Sequence, residues 1–342
     1  MIGNRSGAIR AANGRPEVKL SRGACFLLGL VLAVSACTKR DPQSCLHHAI
    51  RWPKVQIATT HLRDQIYMLR TDGHGEDVPA GNITVLAGPD GVLMVDTGQL
   101  ETAEKVLAAI RAVTSSPLRY VINSHRHGDH LCANAKMHGA GAEIIAQENV
   151  VPWLKAGNEY TPRPAPGGMP KTTYQESMSL HFAGEDVELF HPHKAHTDGD
   201  TIVFFRKANV MSTGDVFVNG TYPYQPASKG AGVTAVVAAL ERMLAMTDDK
   251  TIFVPGHGPV GNRADVQKFL AMLKDARARV LALKNRGTGV YSLWMVDPLE
   301  DLNAKWGKDS YYTGRDLAAW IYEDLNQSHE PEPTAAPSLK RP

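Results

Sequence analysis

One stretch, Asn123-Ser124-His125-Arg126-His127-Gly128-Asp129-His130, constrains this chain more than any other. Three histidines and a carboxylate fall within six residues, straight after the largely apolar run Leu118 to Ile122. Imidazole and carboxylate are the ligands that a divalent ion such as zinc takes from a protein. With 14 histidines in 342 residues, one His in such a window would be ordinary, whereas three with an Asp are not. A strand that ends by fanning four such groups into one cavity ties the fold to a crevice at a sheet edge, and it predicts a metal site.

The segments before the motif supply that sheet. Val55–Ala58, Gln65–Leu69, Asn82–Leu86 and Gly91–Val95 read as strands, the last two joined by the turn Gly88-Pro89-Asp90-Gly91. The fourth strand ends at Asp96-Thr97-Gly98. Glu101 to Val113 is then an amphipathic helix, because Ala103, Val106, Leu107, Ile110 and Val113 recur at three- and four-residue spacing. After the motif we expect a short helix over Leu131–Gly139, a strand at Glu143–Ala146 and a polar, Pro-rich loop from Pro152 to Pro170.

The second half repeats the theme of strands followed by helices. Met178–Phe182, Val187–Phe190, Thr201–Phe205, Val210–Thr213 and Thr251–Val254 are its expected strands. Val233–Met246, Asp265–Lys284 and Arg315–Leu325 are its expected helices. Two mixed sheets face to face, with helices outside, would bury the apolar faces of both. No linker separates the halves, so a single domain over residues 55–326 is expected.

Composition bounds the rest. The apolar and charged fractions, 43% and 21%, are those of a soluble globular protein. Residues 1–36 stand apart: Arg5, Arg10, Arg15, Lys19 and Arg22 precede an uncharged run from Gly23 to Ala36. That run has 14 residues, short of the roughly 20 that span a bilayer, and reads as the apolar part of an export signal. Val34-Ser35-Ala36-Cys37 resembles the bacterial lipobox, which implies a lipidated Cys37 as the new N-terminus and the sole membrane attachment. Residues 37–54 then read as a tether and 327–342 as a disordered tail. Removing 1–36 takes away five of 37 basic side chains and one of 35 acidic ones, leaving 32 against 34. The basic balance belongs to the signal, and it makes no electrostatic case for nucleic acid. Cys45 and Cys132 are not part of any Cys-x-x-Cys pair, which excludes a zinc ribbon; in an exported chain they can oxidise to a disulfide.

Three further segments place a His or Asp beside glycine at a strand terminus: His196-Thr197-Asp198-Gly199-Asp200, Ser212-Thr213-Gly214-Asp215 and Val254-Pro255-Gly256-His257-Gly258-Pro259. Alone, each is the composition of an ordinary turn. Together with the motif they offer seven ligating groups, too many for one tetrahedral ion and suited to two.

His125-x-His127-x-Asp129-His130, followed by His196, Asp215 and His257 in that order, resembles the metallo-β-lactamase fold superfamily of hydrolases over residues 60–265. The resemblance implies an α/β (α+β) four-layer αββα sandwich. It implies His125, His127 and His196 as ligands of a first zinc, and Asp129, His130 and His257 as ligands of a second. Asp215 matches a carboxylate bridging both, and Asp96 matches a residue that holds the outer nitrogen of a ligand histidine. His191 and His193 lack the following Thr-x-Gly-Asp and are read as surface or rim residues.

The chemistry so implied is hydrolysis. Two divalent ions roughly 3.5–4 Å apart lower the pKa of a shared water from ~15.7 towards ~7, and the hydroxide attacks an acyl or phosphoryl centre. Asp129 would orient that hydroxide and later take its proton. No Gly-x-Ser-x-Gly is present, which disfavours serine hydrolysis. The expected substrate is a small molecule with an acyl centre, a β-lactam, lactone or other ester or amide. Zinc β-lactamases usually carry Cys or Ser where Asp215 stands, so a phosphodiesterase or thioesterase of the same fold is the alternative. A one-iron sulfur oxygenase has no use for Asp129 and His130 as ligands, and a non-catalytic relative would have lost ligands. Tyr222, Tyr224 and Lys229 follow Asp215 and serve either as substrate contacts or as loop packing.

Overall fold

The computed structural model describes residues 55–72, 80–158, 160–227 and 231–327. The expected signal and tether lie outside them, as does the tail beyond residue 327. The described residues hold two sheets. The first has seven strands in sequential order: β1 (Gln56–Arg63), β2 (Ile66–Asp72), β3 (Ile83–Gly88), β4 (Gly91–Val95), β5 (Leu118–Ile122), β6 (Glu143–Gln147) and β7 (Thr172–Tyr174). β1 to β4 form an antiparallel meander, and β4 to β7 run parallel. The second sheet runs β13-β12-β11-β10-β9-β8, with β8 at Ser177–Phe182, β9 at Glu185–Phe190, β10 at Ile202–Phe205, β11 at Val210–Ser212, β12 at Ile252–Val254 and β13 at Gly261–Asn262.

The layers follow from the two-residue period of a strand, which sends alternate side chains to opposite faces. In β4, Leu93 and Val95 enter a core shared with Val187, Leu189, Val203, Phe205 and Val210 of the second sheet. Their neighbours Val92 and Met94 face the other way, onto Val106, Leu107 and Ile110 of helix α1 (Ala103–Val113). Phe204 and Met211 turn their backs to the first sheet and pack with helices α5 (Val233–Ala245), α6 (Arg263–Asn285) and α9 (Gly314–Asp324). Each sheet thus buries both faces, giving the αββα sandwich.

Differences from expectation are local. The run Leu131–Gly139 is divided between α2 (Gly128–Leu131) and α3 (Asn134–Gly139). The Pro-rich segment is not all loop: Val150–Ala156 forms helix α4. Pro152 sits in its first turn, where a backbone N–H has no intrahelical acceptor to lose. Short helices α7 (Val290–Val296) and α8 (Asn303–Trp306) precede α9 and had no expected counterpart. No described helix is long and apolar enough to cross a membrane.

The site lies where the carboxyl ends of β4, β5, β11 and β12 meet. Thr201 N–H donates to the Ser124 carbonyl at 2.6 Å, and Asn82 N–H donates to the Gly256 carbonyl at 2.8 Å, so each sheet end is tied to the other.

Candidate metal centre

The motif leaves β5 through a bend at Ser124–Arg126 and ends as helix. His127 has φ −72° and ψ 147°, and α2 starts at the next residue. His125, in the bend, and His127, at the start of α2, both reach the same cluster, and Asp129 and His130 are carried on the first turn of α2. Arg126, between the two histidines, points elsewhere. Its guanidinium donates to Thr161 Oγ1 at 3.2 Å, lies 3.6 Å from Asp198 and covers the Trp153 ring at 4.2 Å. Trp153 belongs to α4 and donates to Asp198 at 2.8 Å. The unexpected helix therefore bolts the motif in place.

All seven expected groups converge, in two sets. His125 Nε2 and His196 Nε2 lie 3.1 and 2.9 Å from His127 Nδ1. His130 Nε2 lies 3.3 Å from His257 Nε2, and Asp129 Oδ2 lies 3.1 Å from His257 and 3.5 Å from His130. Asp215 stands between the sets. Its Oδ2 faces His196 at 3.6 Å and His125 at 3.9 Å, while its Oδ1 faces His130 at 3.2 Å and His257 at 3.5 Å.

Two observations show that this donor set fits divalent ions. Ligand atoms ~2.0–2.1 Å from a tetrahedral ion stand about 3.3 Å from one another, and the separations above scatter about that value. The outer nitrogens also fix which inner ones are bare. Ser124 Oγ donates to Asp96 at 2.6 Å, so it accepts from His125 Nδ1 at 3.0 Å. Gln225 donates its amide to the Ala195 carbonyl at 3.0 Å, which turns its oxygen to His196 Nδ1 at 3.4 Å. His130 Nδ1 donates to Asp96 at 2.8 Å. In the neutral rings Nε2 of all three therefore carries a lone pair aimed inward. A single proton on His127 Nδ1 can serve only one of the two lone pairs that face it, whereas a cation serves both. Asp215 Oδ1 is likewise buried, and its near neighbours are the nitrogens of His130 and His257.

The electrostatics of the two sets differ. Burial pushes His125, His127 and His196 below the ordinary imidazole value, and His125 is pressed further by His130 and His127. Burial acts in the same direction on His130 and His257, but the carboxylates Asp215 and Asp129 outweigh it and raise both. Burial likewise works against the Asp129 carboxylate, yet His130 and His257 hold it well below the usual carboxylate range.

The supporting groups are buried too. Asp96 takes the left-handed φ of 67° at the end of β4, a conformation rare outside glycine, and it aims its carboxylate at Ser124 and His130. It was expected to hold one ligand histidine; through Ser124 it also holds His125. Gly256 is required by space, since a Cβ there would lie 1.9 Å from Asp215 Oδ1. Asp200 accepts from the His196 and Thr197 N–H groups at 2.7 and 2.9 Å and shapes the loop that presents His196; burial pushes its carboxyl up to about 7.

His191 corrects the sequence reading. It is buried, not at the surface, and its Nδ1 donates to the Asp200 carbonyl at 2.8 Å. His193 is at the rim, paired with Glu176 at 2.7 Å. Ser124 and Gln225 had no role assigned from sequence, because a lone hydroxyl or amide carries no spacing signal. Tyr222 is buried as loop packing, whereas the Tyr224 ring lies 6.0 Å from that of His127 and 6.4 Å from that of His196. Lys229 falls outside the described residues. Cys132 is disulfide-bonded; Cys45 also falls outside them.

Comparison with known proteins agrees with this geometry. A family model described as the metallo-beta-lactamase superfamily matches residues 77–257. A linear primary-alkylsulfatase of Pseudomonas sp. (strain ATCC 19151) is 25% identical over 240 residues, 57% of this chain and 45% of its own length. The chain thus spans less than half of that relative. A type 2 metallo-beta-lactamase of Bacillus cereus is 24% identical over 262 residues, covering 75% of this chain and 98% of its own. Among solved structures, a metallo-beta-lactamase from Pontibacter korlensis shares the fold with a TM-score of 0.55 at 18% identity, over 64% of this chain and 99% of the other.

Proposed function

The chain belongs to the metallo-beta-lactamase superfamily and is a metal-dependent hydrolase, and from that premise we propose that it holds two zinc ions and hydrolyses an acyl bond of a small molecule. The observation that carries this reading is the division of Asp215, one oxygen toward each set of ligands. His125, His127 and His196 would hold one ion and Asp129, His130 and His257 the other, with Asp215 shared. Nitrogen-rich sets with near-tetrahedral spacing favour zinc over magnesium or calcium, which prefer oxygen ligands. Bound there, two such ions would acidify a water and polarise the oxygen of the scissile bond.

The chain's own residues do the rest. Asp129 lies at the edge of the second set, its carboxylate held ionised by His130 and His257. It is the group placed to orient the attacking water and to carry its proton to the leaving group. Asp96 and Ser124 fix the rings of His130 and His125, so the Nε2 atom of each is aimed into the cavity before any ion arrives. Arg126, anchored on Thr161 and Asp198, keeps the motif from rotating.

A zinc-loaded sample tested against nitrocefin, a lactone, a thioester, bis-p-nitrophenyl phosphate and a linear alkyl sulfate would assign the bond. Turnover of a β-lactam, lactone or thioester, lost on removal of zinc, supports acyl hydrolysis. Turnover confined to the phosphate or sulfate ester would reject it. The alkyl sulfate belongs in the panel because one relative carries that activity in its name. Export is part of the proposal, supported by the basic and apolar segments of residues 1–36 and by Val34-Ser35-Ala36-Cys37. Labelling with a radioactive fatty acid that disappears in Cys37→Ser would support the anchor; equal labelling would reject it.

A further inference from the structure

An aromatic surface lies against the first set of ligands. Tyr160 stacks on Tyr224 at 5.6 Å with 29° between the ring planes, and the Tyr160 ring lies 6.5 Å from that of His127. Behind Tyr224 stand Tyr312 at 5.3 Å and Trp320 at 5.6 Å, themselves 5.1 Å apart. Four rings thus form one continuous patch whose nearest members touch His127 and His196.

The patch is not ordinary core. Tyr160 is 51% exposed, and Tyr224, Tyr312 and Trp320 are half-buried. Aromatic surface left open to water beside a cluster of ionic side chains is costly to maintain without a ligand to cover it. Its construction is also composite. Tyr160 comes from the loop after α4, Tyr224 from the loop after Asp215, and Tyr312 and Trp320 from the start and middle of the α9 region. The last two lie beyond residue 257, where the family match ends, so half of the patch comes from outside the family match.

We propose that these four rings are the acyl-group subsite, and that the substrate carries an aromatic ring within one or two bonds of the scissile carbonyl. This rests on the reading of the site as an acyl hydrolase. A ring there can stack on Tyr160 or Tyr224 while a carboxyl oxygen reaches the bare nitrogens' ions, because Tyr224 and Tyr160 lie only one ring-width from His127. The offset or edge-on geometries that aromatic pairs prefer are those already present within the patch.

The test uses product-like carboxylates. Zinc-loaded full-length protein is titrated calorimetrically with phenylacetate and with acetate, and its zinc content is measured on the same sample. Phenylacetate should bind about tenfold tighter than acetate. That preference should fall to within about twofold of unity in Tyr224→Leu, and should persist in Tyr224→Phe, which keeps the ring. Tyr160→Ser, at an exposed position, should lose part of it and guards against misfolding of the Tyr224 variant. Equal affinities in the wild type, or a preference untouched by both Tyr224→Leu and Tyr160→Ser, would overturn the subsite. Zinc-dependent acetate binding without a phenyl preference overturns the subsite and leaves the metal reading standing. Absence of zinc uptake and of any carboxylate binding overturns both.

Discussion

The two ligand sets differ in what they must give up before an ion can enter. His125, His127 and His196 are buried, held neutral by burial, and two of them have their outer protons parked on Ser124 and Gln225. His130 and His257 are raised above the ordinary imidazole value by Asp215 and Asp129, so each keeps its proton to a higher pH, where an entering ion must displace it. The first set is a ready-made receptor. The second is, in the metal-free protein, a set of ion pairs. Preparing one site by desolvation and the other by opposite charge would give one cavity two affinities, one falling with acid already near neutrality and the other only at lower pH.

The largest effect should come from the residue common to both sets. Asp215→Ala should lower kcat/KM on the order of 10³-fold and reduce bound zinc to one ion or less, by elemental analysis. Retention of two ions and full activity would break the comparison at its centre, since nothing would then link the spheres. Next, His257→Ala should remove only the second ion and cost about 10²-fold in activity, because the first set is untouched. Loss of both ions together would mean that the sets fill as one unit.

Asp96→Asn is the sharper probe. It weakens the hold on His130 directly and on His125 only through Ser124, so the second ion should lose about 10–100-fold in affinity and the first less. Equal losses would show that the Ser124 link is as strong as the direct bond. Smallest of all, Gln225→Ala should weaken the first ion by a few-fold, up to about tenfold, since its contact to His196 is long at 3.4 Å. Zinc competition with a chromophoric chelator reads both.

How much of this was legible in the sequence depended on how local the determinant was. Strands β4 and β5 have the boundaries read from sequence, Gly91–Val95 and Leu118–Ile122, because each is a compact apolar run closed by turn or ligand residues. The seven groups that converge were legible because spacing within one motif and glycine beside three strand ends are sequence properties. Helix α4 was not, since Pro152 reads as a breaker unless its place in the first turn is known. His191 was misread for a related reason: its burial depends on the carbonyl of Asp200, nine residues on. Tyr312 and Trp320 could not be assigned to the cavity at all, because only the packing of α9 brings them to Tyr224.

Protonation of the two sets moves the stability of the metal-free protein in opposite directions with pH. Folded-state values raised above ~6.5 make His130 and His257 stabilising in the metal-free protein at low pH, an effect lost as pH rises through those raised values. Lowered values at His125, His127 and His196 act oppositely: the stability they contribute is present above ~6.5 and lost as pH falls. An ion entering the second set must expel protons, so its apparent affinity should drop about tenfold per pH unit for each one displaced. The first set has far less to expel near neutrality.

Zinc content per chain, measured by elemental analysis after equilibration at fixed free zinc from pH 7.5 down to 5.5, tests this account most directly. Two ions at the upper pH, with one lost well before the other as acid is added, is the predicted result; in His257→Ala the early loss should vanish. A single ion throughout, or two that leave together at one pH, would contradict two unequal sites joined by Asp215.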